Sequence, residues 1–327
     1  MDTPHRCSID LATPSVMFPR VYNAAVDLVD RHIAEGRGSR IAYIDDRGTY
    51  SYADLAERVN AAGNVLRELG VQPEQRVLLA MLDTIDFPAM FLGAIKAGIV
   101  PVPLNTLLKP ADYTHFVRDS RARAVVVSDA LLPSVGPALD GIETIVATTP
   151  LGGDRGAHRS LDALMAKAAR TLEPVATTPD DIAFWLYSSG STGTPKGAVH
   201  LHGHLMRTAG LYAQGVLGIR PDDVVFSAAK LFFAYGLGNA LTFPLSVGGC
   251  AVLLAERVTP SAVARVMAAH APTIFCGVPT LFASMLADPS FAVSPKLRIS
   301  TSAGEGLPKH VGEAWKARFG SDILDGI

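Results

Sequence analysis

The sequence predicts a layered α/β fold built on mainly parallel sheets. Of the 327 residues, 49% are hydrophobic and only 18% are charged, a balance typical of an enzyme whose parallel sheet is buried on both faces. Apolar runs of strand length alternate with helical patterns along the chain, and no internal repeat replaces this order. A chain of this length can bury a large core, and we expect it to form two subdomains.

Apolar periodicity gives the elements of the first half of the chain. Apolar residues from Leu55 to Leu69 recur at spacings of three and four, so they form one helix face, and Gly70 ends that helix. Residues 151–159 contain three glycines and predict a surface loop. The other predicted elements are a helix at 21–33, a hairpin at 41–51, strands at 76–82, 99–104, 124–128 and 142–147, and helices at 87–97, 111–120 and 161–169.

The alternation of strands and helices continues in the second half. The apolar run from Ile182 to Tyr187 predicts a buried strand. Thr259 is a good N-cap and Pro260 suits the first helical position, which predicts a helix as far as about residue 270. The other predicted elements are strands at 224–226, 251–254, 273–276, 297–301 and 322–324, and helices at 238–245, 279–287 and 308–319.

A stretch rich in glycine and hydroxyl residues follows the strand at 182–187. It runs from Ser188 to Gly197 and contains three glycines and Lys196. Glycine lets backbone N–H groups approach a ligand closely, and hydroxyl groups and a mobile lysine charge add further contacts for a polyphosphate. On composition alone, a flexible and solvated loop is the alternative.

The common phosphate-binding motifs do not fit this stretch. In a Walker loop, glycine precedes the lysine and Ser or Thr follows it, whereas here Pro195 and Gly197 flank Lys196. The chain contains no G-x-G-x-x-G pattern, and Ser189 stands where a G-x-S-x-G elbow around Ser191 needs glycine. The stretch therefore predicts a phosphate loop of another kind.

Two further segments follow predicted strands and open helices. The segment from Lys230 to Asn239 is rich in aromatic residues and glycine. Aromatic clusters are common in protein cores, but the glycines and the position beyond a strand favour the wall of a ligand site. The segment from Ser302 to Pro308 also ends a strand, and a plain turn with Pro308 at the first helical position is its alternative.

Charge and hydropathy narrow the range of partners. A net charge of −2 offers no electrostatic footprint for nucleic acid or for an anionic membrane, so we expect neither partner. The apolar stretch at 87–104 contains Lys96 and several prolines, so we do not expect it to span a membrane. The N-terminus has no apolar signal core, which favours the cytoplasm.

Cysteine and histidine positions do not predict a metal site. The three cysteines are far apart in the sequence and suit a reducing compartment, where they are most simply small core residues. His200, His202 and His204 alternate without a nearby acidic residue. We therefore predict surface or helix-start histidines, and a metal site is the alternative.

The run from Ser188 to Gly197 resembles the signature loop of the adenylate-forming superfamily, which comprises acyl-CoA synthetases, luciferases and the adenylation domains of peptide synthetases. In that superfamily the loop holds the β- and γ-phosphates of ATP. The resemblance implies that Lys196 neutralises phosphate charge during catalysis. The implied ATP-binding residues of the loop are Ser188, Ser189, Gly190, Ser191, Thr192, Gly193, Thr194 and Lys196.

The segment Phe-Phe-Ala-Tyr-Gly-Leu-Gly-Asn at 232–239 resembles the benzoate and hydroxybenzoate CoA ligases of this superfamily. Phe233 stands where most members have histidine, which implies an apolar acyl pocket where a flat ring can stack. The implied acyl-pocket residues are Phe233, Ala234, Tyr235, Gly236, Ala303, Gly304, Gly326 and Ile327. The implied adenine-side residues are Ala303, Gly304, Glu305 and Asp325, and Asp325 would accept a hydrogen bond from the adenine amino group.

The resemblance implies that residues 1–327 are a truncated N-terminal AMP-binding domain, with one subdomain at 71–220 and the other at 18–70 plus 221–327. The whole enzyme would use ATP, Mg²⁺ and coenzyme A to convert an aromatic acid to acyl-AMP and then to acyl-CoA. Later motifs of the superfamily, with their metal-binding glutamate and catalytic lysine, are not in the sequence. We therefore expect ligand binding with little thioester formation.

Several alternatives stay open at this point. The acid could be 4-hydroxybenzoate, an alicyclic acid or a medium-chain acid rather than benzoate. The chain could also be a non-catalytic module that only binds its ligands. A homodimer is one assembly that the sequence allows.

Overall fold

The computed structural model describes residues 5–188 and 195–326. The strands are β1 Ser8–Asp10, β2 Ser15–Met17, β3 Ile41–Asp45, β4 Gly48–Ser51, β5 Arg76–Ala80, β6 Val100–Pro103, β7 Ala124–Ser128, β8 Glu143–Ala147, β9 Arg159–Ser160, β10 Ile182–Ser188, β11 Lys196–Leu201, β12 Val224–Ser227, β13 Cys250–Val252, β14 Ile274–Gly277, β15 Ile299–Ser302 and β16 Ile323–Asp325.

The α-helices alternate with these strands. They are α1 Arg31–Ala34, α2 Tyr52–Glu68, α3 Asp86–Lys96, α4 Pro110–Ser120, α5 Leu132–Val135, α6 Leu161–Lys167, α7 His202–Thr208, α8 Ala234–Leu237, α9 Phe243–Val247, α10 Pro260–His270, α11 Pro279–Ala287 and α12 Lys309–Phe319. Three π-helical turns, Val26–Asp30, Ala209–Gln214 and Gly238–Thr242, adjoin α1, α7 and α8. No helix in the described ranges is long and apolar enough to cross a membrane.

Two parallel sheets organise the chain. The first has the strand order β16-β15-β14-β12-β13-β3-β4, and every pair in it is parallel except β3 with β4. The second has the order β6-β5-β7-β8-β9 and is parallel throughout. The predicted α/β architecture with mainly parallel sheets is therefore confirmed, whereas the subdomain boundaries stay a prediction.

Apolar clusters fill the layers on both sides of the sheets. Beneath the seven-stranded sheet, Trp315 of α12 is fully buried and its ring lies 4.8 Å from the ring of Phe282. Burial of such large side chains supplies most of the driving force for packing helices onto a sheet. The predicted N-cap of α10 is also confirmed, because the Thr259 hydroxyl accepts a hydrogen bond from the Ala262 N–H at 3.2 Å.

The chain departs from the sequence prediction around residues 182–214. The run at 182–187 is not uniformly buried, because Ala183 and Leu186 are buried whereas Ile182 is 45% exposed. It pairs antiparallel with β11, a strand that the sequence did not predict. Every residue of β11 is exposed or half-buried, so its apolar residues do not form the pattern of a buried strand. The helical segment from α7 to Gln214 was also missed, since its glycines lower helix propensity.

Two predicted helices differ from the observed ones. The helix predicted at 21–33 contains the π-helical turn Val26–Asp30, which continues into α1. The helix predicted at 238–245 begins earlier, with α8, and continues through the π-helical turn Gly238–Thr242 into α9. Both segments lie against neighbouring elements of the core, where tertiary packing overrides local propensity.

Helices α2 and α3 pack closely through a pair of glycines. A Cβ atom placed on Gly93 would lie 2.6 Å from the carbonyl oxygen of Val59 and 2.8 Å from the backbone nitrogen of Gly63. Real carbon atoms do not approach this closely, so a side chain here would force the two helices apart.

We therefore expect Gly93→Ala to lower the free energy of unfolding by about 1–3 kcal/mol. Urea unfolding followed by circular dichroism measures the change. Gly136→Ala is the matched control, because a Cβ there would meet no described atom within 4 Å. Equal unfolding midpoints for the two variants would contradict the assigned role of the glycine pair.

Candidate active site

The carboxyl ends of both parallel sheets border one open cavity of about 720 Å³. In open α/β sheets this edge is where ligands bind, because loops there diverge and leave a crevice. The wall includes Leu82, Thr106 and Leu131, which follow β5, β6 and β7, and Ala228, Ala255 and Val278, which follow β12, β13 and β14. The fold itself therefore creates a ligand site between the two sheets.

Asp83 links the two sheets beside this cavity. It follows β5 and is only 4% exposed. Its carboxylate oxygens accept a hydrogen bond from the Leu231 N–H at 3.2 and 3.3 Å, across to the loop after β12. Burial raises the pKa of Asp83 to about 6, although the nearby Lys230 charge and this hydrogen bond act in the opposite direction.

Lys230 ties together the loops after two neighbouring strands. Its ammonium group donates hydrogen bonds to the carbonyl oxygens of Leu254 and Glu256, the latter at 2.8 Å. It also lines the large cavity. The sequence placed Lys230 at the start of the aromatic motif but gave no reason to assign it or Asp83 a role.

The predicted acyl-pocket residues at 233–236 lie at the start of α8. Phe233 is 45% exposed, its ring lies 4.4 Å from that of Phe232, and it lines the large cavity. Ala234 lines a second cavity of about 130 Å³. A Cβ on Gly236 would overlap the carbonyl oxygens of Ala229 and Lys230, so only glycine fits there.

The second cavity lies between α8, α7 and the hairpin formed by β10 and β11. Its lining is mainly apolar, with two histidines and two threonines as polar members. The lining residues are Phe184, Leu186, His200, His204, Leu205, Thr208, Ala234, Leu237, Gly238, Thr242 and Phe243. An apolar cavity of this kind suits a small hydrophobic group with few polar contacts.

Tyr235 connects α8 to strand β15. Its hydroxyl lies 2.6 Å from the Thr301 hydroxyl. Burial is the main cause of a raised pKa for Tyr235, so its phenol is neutral at physiological pH. Thr301 precedes Ala303 by two residues, and the structure thus brings the two predicted acyl-pocket segments together.

The predicted adenine-side residues lie where β15 and β16 end. Ala303 is buried, and Gly304 has a φ of +95°, a conformation that glycine adopts readily. The Asp325 carboxylate accepts a hydrogen bond from the Leu307 N–H at 3.2 and 3.3 Å. Glu305 is exposed between these residues.

Residues 325 and 326 hold this loop against the sheet. The Gly326 N–H donates a hydrogen bond of 2.7 Å to the Ser302 carbonyl oxygen. Asp325 therefore anchors the loop, in addition to the adenine contact predicted for it. Ile327 lies outside the described residues.

Helix α4 contacts both ends of the predicted phosphate loop. The Tyr187 hydroxyl donates a hydrogen bond of 2.6 Å to Asp119, and His115 donates through Nε2 to the Pro195 carbonyl oxygen at 3.2 Å. The last residue pair of the hairpin is Ser188 with Lys196, and both are exposed. The predicted ATP-binding residues Ser189, Gly190, Ser191, Thr192, Gly193 and Thr194 lie outside the described residues.

The alternating histidines have structural partners. The His200 ring stacks on Phe184 with 4.5 Å between ring centroids. His202 begins α7, accepts a hydrogen bond from the Ala24 N–H at 3.1 Å, and has its pKa lowered to about 4 by burial. Within residues 5–188 and 195–326, no group of three or more His, Cys, Asp and Glu residues could hold a metal ion.

Two largely parallel sheets that share a cleft at the carboxyl ends of their strands define a ligand-binding class of α/β protein. The chain belongs to the AMP-binding enzyme family, which it matches over residues 30–327. The resemblance found in the sequence is thereby confirmed.

Three individual proteins resemble the chain in sequence or in fold. The chain is 56% identical over 317 residues to a benzoate–CoA ligase of Thauera aromatica, covering 96% of this chain and 60% of that protein. It is 48% identical to a 4-hydroxybenzoate–CoA/benzoate–CoA ligase of Rhodopseudomonas palustris, covering 94% and 58% of the two chains. A crystal structure of a benzoate CoA ligase from Burkholderia xenovorans LB400 superposes with a TM-score of 0.86 at 49% identity, covering 94% and 61%.

The chain thus spans about 60% of the length of these relatives. Their sequence and fold match its described residues on both sides of the cleft.

The buried carboxyl of Asp83 predicts a specific pH dependence. Between about pH 4 and 6 it is protonated in the folded state and ionised in the unfolded state, because its folded pKa of about 6 exceeds its ordinary value of 3.8. The folded protein gains stability from holding this proton, and that gain is complete below about pH 4 and is lost as the pH rises through 6. The side-chain amide in Asp83→Asn does not titrate, yet its oxygen can still accept a hydrogen bond from the Leu231 N–H.

We expect the free energy of unfolding of the wild type, relative to Asp83→Asn, to fall by about 2 kcal/mol from pH 4 to 7. Urea unfolding at steps of half a pH unit measures this difference. Asp54→Asn is a control of opposite sign, because hydrogen bonds from Ser51 lower the pKa of Asp54. A flat difference for Asp83→Asn would show that its carboxyl titrates normally.

Proposed function

We propose that the chain is the nucleotide- and acid-binding part of an ATP-dependent aryl-CoA ligase of the benzoate type. One observation carries this proposal: the Phe-Phe-Ala-Tyr-Gly motif stands between the two cavities, with Phe233 on the larger and Ala234 on the smaller. A ligase that joins an acid to a thiol needs two such adjoining sites. The identity to relatives named as benzoate–CoA ligases supports the same assignment.

The smaller cavity is the proposed seat of the aromatic ring. Its wall is largely apolar, and Phe184, Leu237 and Phe243 offer flat or branched surfaces for a ring. The proposed contacts also include Tyr235 and Gly236 on α8, and Ala303 and Gly304 beyond β15. Gly326 and Ile327 are proposed as further members of the acyl pocket.

ATP is proposed to bind along the edge from the hairpin to the end of β16. The loop from Ser188 to Lys196 would hold the β- and γ-phosphates, and Ala303, Gly304, Glu305 and Asp325 would contact adenine. A carboxylate oxygen of the acid attacks the α-phosphorus, the bond to the bridging oxygen breaks, and pyrophosphate leaves. Lys196 reduces the repulsion between these anions.

The larger cavity is the proposed path of coenzyme A. Its apolar walls suit an extended thiol arm, and the exposed guanidinium of Arg257 at its rim suits a phosphate. In the second step the thiolate sulfur attacks the carbonyl carbon of acyl-AMP. The carbon–oxygen bond to phosphate then breaks, and AMP leaves as the thioester forms.

The metal and the assembly belong to the whole enzyme. We propose Mg²⁺ as the companion of ATP in the whole enzyme, although the described residues do not present a metal-binding cluster. We also propose a cytoplasmic location and a homodimer for the whole enzyme. A 4-hydroxybenzoate ligase is the second candidate, because one relative is named for both acids.

Tyr235→Ala tests the acyl-pocket assignment. We expect it to weaken benzoate binding by about tenfold, since a ring contact contributes about 1–1.5 kcal/mol, and to change ATP binding less than twofold. Isothermal titration calorimetry of the 327-residue chain with each ligand measures both constants. Alicyclic and medium-chain acids belong in the same panel.

Lys196→Ala serves as the reciprocal control. It should weaken ATP binding and leave benzoate binding unchanged, because its charge acts on phosphate. Equal losses for the two ligands in Tyr235→Ala would refute the acyl-pocket assignment. Failure of the wild-type chain to bind any aromatic acid would refute the proposed function itself.

A further inference from the structure

A hydrogen-bonded pair of hydroxyl groups joins the two segments of the proposed acyl pocket. Tyr235 lies on α8 next to Ala234, and Thr301 lies on β15 two residues before Ala303. The hydroxyl oxygens of Tyr235 and Thr301 are 2.6 Å apart, and the Thr301 residue is 1% exposed. A contact this short between two hydroxyl groups is a hydrogen bond, so each hydroxyl already has a partner within the protein.

Cys276 lies beside this pair. It is the sheet neighbour of Thr301 on β14 and is fully buried. Burial raises the pKa of the Cys276 thiol to about 12, whereas the nearby Thr301 hydroxyl acts in the opposite direction. Because a hydroxyl oxygen can accept as well as donate, Thr301 can accept a hydrogen bond from the Tyr235 O–H.

The surroundings place this hydrogen bond near the smaller cavity. The Tyr212 ring contacts the Phe243 ring with 5.7 Å between centroids, and Phe243 lines that cavity beside Ala234. Burial is the main cause of the raised pKa of Tyr235, and the nearby Tyr212 raises it further. The hydrogen bond to Thr301 on β15 therefore fixes the orientation of the Tyr235 side chain close to that cavity.

We propose that Thr301 is a specificity-determining positioning residue for the aromatic acid. By accepting a hydrogen bond from the Tyr235 hydroxyl, Thr301 keeps that hydroxyl from contacting the ring of the bound acid. The pocket then favours an unsubstituted ring over a hydroxylated one. This inference rests on the proposed function, since it concerns which ring the acyl pocket takes.

The physical reason is the cost of leaving the Tyr235 hydroxyl unpaired beside the buried Thr301 side chain. Thr301→Val keeps the shape of the side chain but removes the acceptor, so the Tyr235 hydroxyl is left without its partner. A hydroxyl on a bound ring can then supply the missing partner, whereas benzoate cannot. A hydroxybenzoate should gain affinity relative to benzoate as a result.

The test measures dissociation constants of the 327-residue chain for benzoate and for 2-, 3- and 4-hydroxybenzoate by isothermal titration calorimetry. In Thr301→Val we expect the ratio of hydroxybenzoate to benzoate affinity to rise by about fivefold or more for at least one isomer. Tyr235→Phe, which removes the hydroxyl itself, should show no such gain. Combining the two substitutions should abolish the gain.

Further variants and controls separate the outcomes. Thr301→Ser keeps the hydroxyl and should retain the wild-type ratio, and ATP binding should be unchanged throughout, which shows that each variant is folded. Unchanged ratios for all three isomers in Thr301→Val would overturn the role of Thr301 while wild-type benzoate binding still supports the proposed function. An equal gain in Tyr235→Phe would also overturn it.

Discussion

The hydrogen bond from the Leu231 N–H to the buried carboxylate of Asp83 is the contact on which the site depends. It joins the five-stranded sheet to the loop that follows β12 of the other sheet. Parallel strands place their carboxyl ends at one edge, so two sheets that meet there leave a cleft, and this bond crosses from one sheet to the other beside it. A buried carboxylate is costly alone, but the N–H and the nearby Lys230 charge partly offset that cost.

Local sequence patterns predicted most of the architecture. The alternation of apolar runs and amphipathic helices led to the parallel sheets, and the cap at Thr259 placed α10 correctly. The aromatic motif after β12 places Phe233 on the larger cavity and Ala234 on the smaller one, whereas their role in an acyl pocket stays a prediction. The confirmed elements share a cause, because each signal lies within a dozen residues and reports burial or capping directly.

The remaining features arise from contacts between distant residues. Nothing near Asp83 in sequence indicates that Leu231, 148 positions later, will be its partner. The same holds for His115 and Pro195, which meet because α4 packs beside the hairpin. The missed strand β11 owes its conformation to pairing with β10, not to its own apolar pattern.

Gly236 explains how one short motif serves two cavities. Because its Cα rests against the carbonyl oxygens of Ala229 and Lys230, the rotation of α8 about its axis is fixed. Phe233 and Ala234 must then face different cavities, although they are adjacent in the chain. On the proposed function, substitutions at these two positions would alter the thiol side and the acid side independently.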